Sequence, residues 1–191
     1  MIEQKSIDKT KQSFETSFAE ASFYNRQTQD DEHLKKIFEG LDKGGSILDL
    51  GTGNGYLAFP LADQNPEVPV VGLDIVEETL KRNAQKAEEL KLFNLSFVNY
   101  DGVTFPFPDQ SFTTVVTRYA LHHFPTIEKT FQEISRVLKP GGQLFLSDPT
   151  PNDNDANRFV DSYMRLKDDG HIQFYSLAEF EKLAKDAGLL L

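Results

Sequence analysis

The stretch "SILDLGTGNGYLAFPLA", Ser46 to Ala62, decides the fold. An apolar run ending at Leu50 meets three glycines, Gly51, Gly53 and Gly55, and an amphipathic segment follows. Glycine accepts left-handed backbone and lets other groups approach closely, so the pattern predicts a sharp turn from a buried strand into a helix starting near Gly55. In α/β folds the first such turn is a place where ligands settle.

Working outward, "PVVGLDI" predicts a second strand, followed by a helix with Leu80, Ala84, Ala87 and Leu90 on one face. "LSFVNYD", "FTTVVTRYA" and "QLFLSD" predict three more strands, with a turn-rich "FPFPDQS" before the second of them. Ile127, Phe131, Ile134, Val137 and Leu138 recur at helical spacing, and Pro140 with the paired glycines of "KPGG" predicts a stop and a turn into the next strand. Strands alternating with helices predict parallel βα units. The expected class is α/β, a Rossmann-like doubly wound and mostly parallel sheet in three αβα layers. It carries N-terminal helices and a helical insertion after strand five.

One domain is expected over 1–191. Residues 1–43 read as N-terminal helices, one of them bearing Leu34, Ile37, Phe38 and Leu41. Residues 44–148 read as the cofactor-binding core, and 149–191 as an Asp- and Asn-rich insertion with a last helix. Ser176 and Glu179 form a capping box for that helix, and Gly188 suits its C-terminus. The closing "GLLL" reads as the start of a sixth strand.

Composition narrows the function. The chain has 191 residues, 39% hydrophobic and 26% charged, which suits a globular domain with one core. No apolar run approaches the roughly 18 residues of a membrane span, and "MIEQKSIDKT" is too polar for a signal peptide. The cytoplasm is the expected compartment. Cysteine is absent, which removes thiolate nucleophiles and cysteine metal sites. A net charge of −10, with basic residues scattered among carboxylates, argues against nucleic acid as a partner.

The dinucleotide fingerprint G-x-G-x-x-G fails here, because Tyr56 stands at the third glycine position. With Asp49 in front, "LDLGTGNG" instead resembles the first motif of the class I methyltransferases that use S-adenosylmethionine. The resemblance continues through Asp74 at the end of "VVGLDI", "NYDG" (Asn99 to Gly102), "FPFPDQSFTTVVTRYALHHF" and "EISRVLKPGGQLFLSD", covering Leu34 to Asp148. It implies a set of contacts. Asp49, Gly51, Thr52, Gly53 and Gly55 would receive the methionine end. Asp74, with Ile75 beside it, would accept both ribose hydroxyls. Asp101 would accept from the adenine amine while the Gly102 N–H faces a ring nitrogen, and Arg118 and Tyr119 would line the methionine pocket. Each position also has a purely structural reading, since aspartates cap helices and glycines make turns. The ordered set carries the inference.

Methyl transfer from a sulfonium is an in-line displacement that needs alignment more than a protein nucleophile. His122 and His123, at the end of the fourth strand, are the candidates for a general base. Neither belongs to a metal-ligand pattern, and no metal is expected. Phe18, Phe23 and Tyr24 on the N-terminal side, and Phe159, Tyr163, Met164 and Tyr175 in the insertion, are candidates for an apolar lid over the acceptor. "TRYA" lacks the Asn/Asp-Pro-Pro-aromatic run of enzymes that modify base amines. "HHF" and "LKPGG" are most similar to enzymes acting on small molecules, including the quinone-biosynthesis type. The expected function is S-adenosylmethionine-dependent methyl transfer to a small molecule. The alternatives are a nicotinamide-dependent oxidoreductase and a non-catalytic module that binds the same cofactor.

Overall fold

The computed structural model describes residues 2–19, 32–41, 44–152, 154–167 and 169–190. Five strands form one parallel sheet: β1 (Ile47–Leu50), β2 (Val70–Asp74), β3 (Leu95–Asn99), β4 (Phe112–Arg118) and β5 (Leu138–Ser147), in the order β3-β2-β1-β4-β5. All four residues of β1 are buried, as a strand covered on both faces requires. The period of two sends Leu48 and Leu50 into one core and Ile47 into the other.

Before the sheet come α1 (Ile2–Ala19) and α2 (Glu32–Gly40). Helices α3 (Ala58–Gln64) and α4 (Glu77–Glu89) follow β1 and β2. They join α2 on one face, where Leu34, Ile37, Leu61, Ala62 and Ala87 pack on Val70 and Val116. Helix α5 (Ile127–Val137) and the last helix, α7 (Leu177–Asp186), cover the other face with Phe131, Ile134, Phe180 and Ala184. Between β5 and α7 lie a 3-10 turn (Ala156–Arg158) and the short α6 (Phe159–Met164). The three αβα layers and the insertion after strand five are as the sequence implies. Among the described residues no helix is long and apolar enough to cross a membrane.

Several local expectations change. Helix α3 begins at Ala58 rather than near Gly55, because the glycine turn extends through Leu57. Helix α4 turns Thr79, Leu80, Asn83 and Ala87 inward, while Ala84 is exposed and Leu90, already the C-cap, is 54% exposed. "KPGG" is an excursion inside β5: Leu138 pairs with Phe112 and Gln143 with Thr114, so Lys139–Gly142 are looped out of register. The Ser176–Glu179 capping box is present. Residues 188–190 form no strand; Gly188 ends α7 with φ +80, and the Leu189 N–H returns to the Ala184 carbonyl at 2.9 Å.

The strand order reverses between β1 and β4. Loops leaving their carboxyl ends diverge there and open a crevice, which is the general ligand position in this architecture. Helix α1 lies across that crevice, touching the end of β3 through Ile7 and the end of β4 through Phe14.

Candidate active site

The turn after β1 is anchored on β2, where the Gly51 and Thr52 N–H groups donate to the Leu73 carbonyl at 2.8 and 3.1 Å. Gly51 has φ +71, and a Cβ there would fall 2.5 Å from that of Ala120, so the two loops meet only because this residue is glycine. Asp49 points to the α3 side of the sheet. Its Oδ2 accepts from the Thr52 hydroxyl at 2.7 Å and from the Ala58 N–H at 3.1 Å, tying strand, turn and helix start together. Burial pushes its carboxyl up to about 7, against the pull of those two bonds, and the nearby Asp74 charge adds to the rise.

Asp74 closes β2 and faces the crevice. Its Oδ2 accepts from the Gly53 N–H at 2.9 Å and its Oδ1 from the Val76 N–H at 3.0 Å. Burial raises this pKa too, with the Gly53, Val76 and Ile75 backbone groups opposing it. A carboxylate offers about four acceptor positions, so part of its capacity stays open to a diol from the crevice. Asn83, on α4, holds the other side of the turn by donating to the Gly53 carbonyl at 2.8 Å.

After β3, Asp101 is exposed, and its Oδ1 accepts from the Val103 and Thr104 N–H groups at 2.8 Å each. It shapes the turn that presents Gly102, and Oδ2 is the oxygen left for a ligand. Burial, with the charges of Asp74 and Asp101, holds the Tyr100 phenol well above its usual pKa, so it stays a hydrogen-bond donor.

At the end of β4 the Arg118 guanidinium lies between the Tyr56 and Tyr119 rings, 4.2 and 4.1 Å from their centroids. Tyr119 takes a left-handed conformation, φ +53. The 3-10 turn Leu121–His123 follows, and Asp148 at the end of β5 organises it: Oδ2 accepts from the Ala120 and Leu121 N–H groups at 3.1 and 2.8 Å, and Oδ1 pairs with His122 Nδ1. His122 is buried away from the crevice, whereas His123 faces it. Burial, with the neighbouring His122 and His171 rings, holds His123 well below the usual histidine pKa, against a hydrogen bond with the Gly170 backbone.

These elements line a cleft, open to solvent on one side, of about 100 Å3. Gly51, Gly53, Asp74, Ile75, Gly102, Tyr119 and His123 line it, as do Tyr100, Val76, Ala120, Phe124 and Pro125. Asp49, Thr52, Gly55, Asp101, Arg118 and His122 stand behind or beside that lining. Ile7, Thr10 and Phe14 of α1 form its roof, a contribution the sequence reading did not assign. The expected lid differs as well. Phe159 and Tyr163 are exposed, Tyr175 is in the core beside Phe180, and Met164 does not line the cavity. Phe23, Tyr24 and the Phe18 side chain lie outside the described residues. Among the described residues no cluster of three acidic or histidine side chains could hold a metal.

A family model described as a methyltransferase domain matches residues 23–191. An uncharacterized methyltransferase of Bacillus subtilis, YcgJ, is 33% identical over 138 residues, covering 72% of this chain and 54% of the relative. Its crystal structure superposes with a TM-score of 0.72, covering 81% of this chain and 67% of that one. The demethylmenaquinone methyltransferase of Listeria welshimeri is 34% identical over 127 residues, covering 65% and 54%. The 27-O-demethylrifamycin SV methyltransferase of Amycolatopsis mediterranei is 33% identical over 156 residues, covering 78% and 55%. The chain thus spans about half the length of these curated relatives.

Proposed function

Because the chain belongs to the class I methyltransferases that use S-adenosylmethionine, we propose that this crevice transfers a methyl group from that cofactor to a small-molecule acceptor by in-line displacement. The observation that carries the reading is the placement of Asp74, Gly53 and Gly102 on one cavity wall. Asp74 keeps acceptor capacity toward the space where a ribose diol would lie, and the glycines remove the Cβ atoms that would obstruct it. The residues present therefore fit an adenosyl cofactor.

Bound there, the cofactor supplies an electrophilic methyl group on sulfur, and the protein's part is to position and to exclude water. Asp74 would hold the ribose and the Gly102 N–H the adenine edge, with Asp101 Oδ2 beside it. The turn 51–55, with Asp49 and Thr52 behind it, would take the methionine end. An ammonium near Asp49 would stabilise its charged form, which burial alone disfavours. Ile75, Arg118 and Tyr119 would shape the pocket around these contacts. Of the two histidines, His123 is proposed as the base where the acceptor must lose a proton, since His122 is committed to Asp148.

The described residues are read as one methyltransferase domain with its core over 44–148. A small-molecule acceptor rather than nucleic acid, and a cytoplasmic setting, rest on charge and composition. The likeness to the demethylmenaquinone enzyme supports the quinone-biosynthesis-like branch. Neither the oxidoreductase nor the non-catalytic alternative is favoured, and Tyr56 in place of the third glycine speaks against the former.

The test is calorimetric titration with S-adenosylmethionine, S-adenosylhomocysteine and NAD in parallel. Micromolar binding of the two adenosyl compounds and none of NAD is expected. Binding of NAD alone overturns the proposal.

A further inference from the structure

Three imidazole rings meet where the turn after β4, the insertion and α1 join. Between centroids, His122 lies 4.3 Å from His123 and 5.6 Å from His171, and His123 lies 6.3 Å from His171. The insertion is tied to the turn at this point by its backbone. The Ile172 and Gln173 N–H groups donate to the His122 carbonyl at 2.8 and 3.3 Å, and the Gly170 backbone hydrogen-bonds the His123 ring. Gly170 also touches α1, where an added Cβ would fall 2.0 Å from Thr10 Oγ1 and 2.9 Å from the Thr10 backbone. Since α1 roofs the cleft, roof, insertion and turn share one junction.

The charges around the rings are few. Asp148, at the end of β5, holds His122 Nδ1, and Asp161, on α6, lies 3.0 Å from His171 Nε2. Asp161 is shared: its Oδ1 accepts the Phe174 N–H at 2.8 Å, and its Oδ2 pairs at 3.4 Å with Arg158, which also reaches Glu179 on α7. Asp169 accepts the His171 N–H at 3.1 Å. Helix α1 presents Phe14 to His123, edge-on at 5.1 Å, and no carboxylate among the described residues pairs with that ring.

We infer that His122, His123 and His171 form an acid-sensitive latch, which holds the insertion and α1 against the turn after β4 while the rings are neutral and releases them when protons enter the cluster. His123 Nδ1 and His171 Nδ1 are buried and have no hydrogen-bond partner among the described residues. A neutral imidazole leaves such a nitrogen as a bare acceptor, whereas an imidazolium puts an N–H there with nothing to accept it. A buried unpaired donor is costly, and positive rings this close repel one another. Opening the junction relieves both.

The direction of the pH effect follows from the same surroundings. Burial and the neighbouring rings hold His123 well below the usual histidine range, and burial holds His171 below it against the pull of Asp161. A histidine released to water titrates near 6.5. The open arrangement therefore takes up protons that the closed one lacks, so closure is complete above about 6.5 and weakens as pH falls. With two such rings the closed-to-open ratio drops by at most about 100-fold per pH unit.

The experiment is amide hydrogen exchange of the full chain without ligand, followed by NMR from pH 7.5 to pH 5 and normalised to the intrinsic rate at each pH. The Ile172 amide, bonded to the His122 carbonyl, reports the latch, and the Val115 amide of the central strand β4 reports unfolding. Protection at Ile172 should fall more than tenfold and lie below that of Val115 at pH 5, which marks an opening short of unfolding. His171→Gln and, separately, His123→Gln each remove one titrating ring, and each should roughly halve the slope of log protection against pH. Protection at Ile172 independent of pH, protection equal to that of Val115 throughout, or a slope unchanged in both variants overturns the latch.

Discussion

His122 Nδ1 lies 2.5 Å from Asp148 Oδ1, and the other oxygen of the same carboxylate accepts the Ala120 and Leu121 N–H groups. One side chain at the end of β5 thus fixes both the start of the turn and the ring beside His123. Removing it leaves buried donors without acceptors, at about 1–3 kcal/mol each. Asp148→Ala is expected to destabilise the chain by about 3 kcal/mol in chemical denaturation. It should also lower turnover, because the turn that carries His123 loses its anchor.

Asp74 joins the turn and the crevice, so its replacement is expected to act mainly on cofactor affinity. Asp74→Ala strands the Gly53 and Val76 N–H groups and removes the acceptor proposed for the ribose. Binding of S-adenosylhomocysteine should weaken by about 1–3 kcal/mol. Unchanged calorimetric affinity in a folded variant would show that the ribose is held elsewhere.

Asp49 makes stability depend on pH in the direction opposite to most carboxylates. Its carboxyl is pushed up to about 7 in the fold, against about 3.9 in an unfolded chain. The native state therefore holds a proton that the unfolded state has lost, and stability falls as pH rises from about 4 to about 7, by at most about 4 kcal/mol. Asp49→Asn should flatten that part of the profile and raise the melting temperature at pH 8 in the absence of ligand. The same change should weaken S-adenosylmethionine binding, because the partner proposed for its ammonium is gone. A wild-type melting curve independent of pH over this range would contradict the argument.

Ile7 sits on Gly102, where an added Cβ would lie 3.1 Å from its side chain. Both residues line the cleft, so a cofactor reaching Gly102 passes beneath α1, and α1 is expected to yield as it enters. Large-to-small changes at buried isoleucine cost about 2–5 kcal/mol. If even 1.4 kcal/mol of that comes from the closed arrangement, the open population rises about tenfold. Ile7→Ala is expected to speed association of S-adenosylhomocysteine by up to about that factor in stopped-flow mixing. Identical rates in both proteins would place the entry route elsewhere.

What the sequence made legible was local. The strand–glycine–helix pattern at Ser46–Ala62, the alternation of periods and the Ser176 capping box each depend on neighbours a few residues apart, and each has its place in the fold. The residues it hid act across the fold. Asn83 looks like part of a polar helix face, yet it faces the Gly53 carbonyl because α4 packs back against the first turn. Thr10 and Phe14 look like ordinary helix positions, and only the path of α1 over the sheet brings them to His123. Phe159 and Tyr163 suggested a lid by composition alone, whereas their helix turns them to solvent. The adjacent histidines could not be told apart until Asp148 claimed one of them.

As a base, His123 must be neutral, and burial with the nearby His122 and His171 rings keeps it so well below the usual histidine range. A histidine whose pKa is lowered loses its base form only at correspondingly lower pH, so the acid limb of the rate profile should fall well below 6.5 rather than near it. His123→Gln removes the proton acceptor, and general-base catalysis contributes about 100-fold or more. Turnover on a hydroxyl acceptor should drop by at least that much, with S-adenosylhomocysteine affinity little changed. An acid limb at 6.5 that survives in the variant would assign the proton to another group, and parallel losses of turnover and cofactor affinity would make His123 a packing residue.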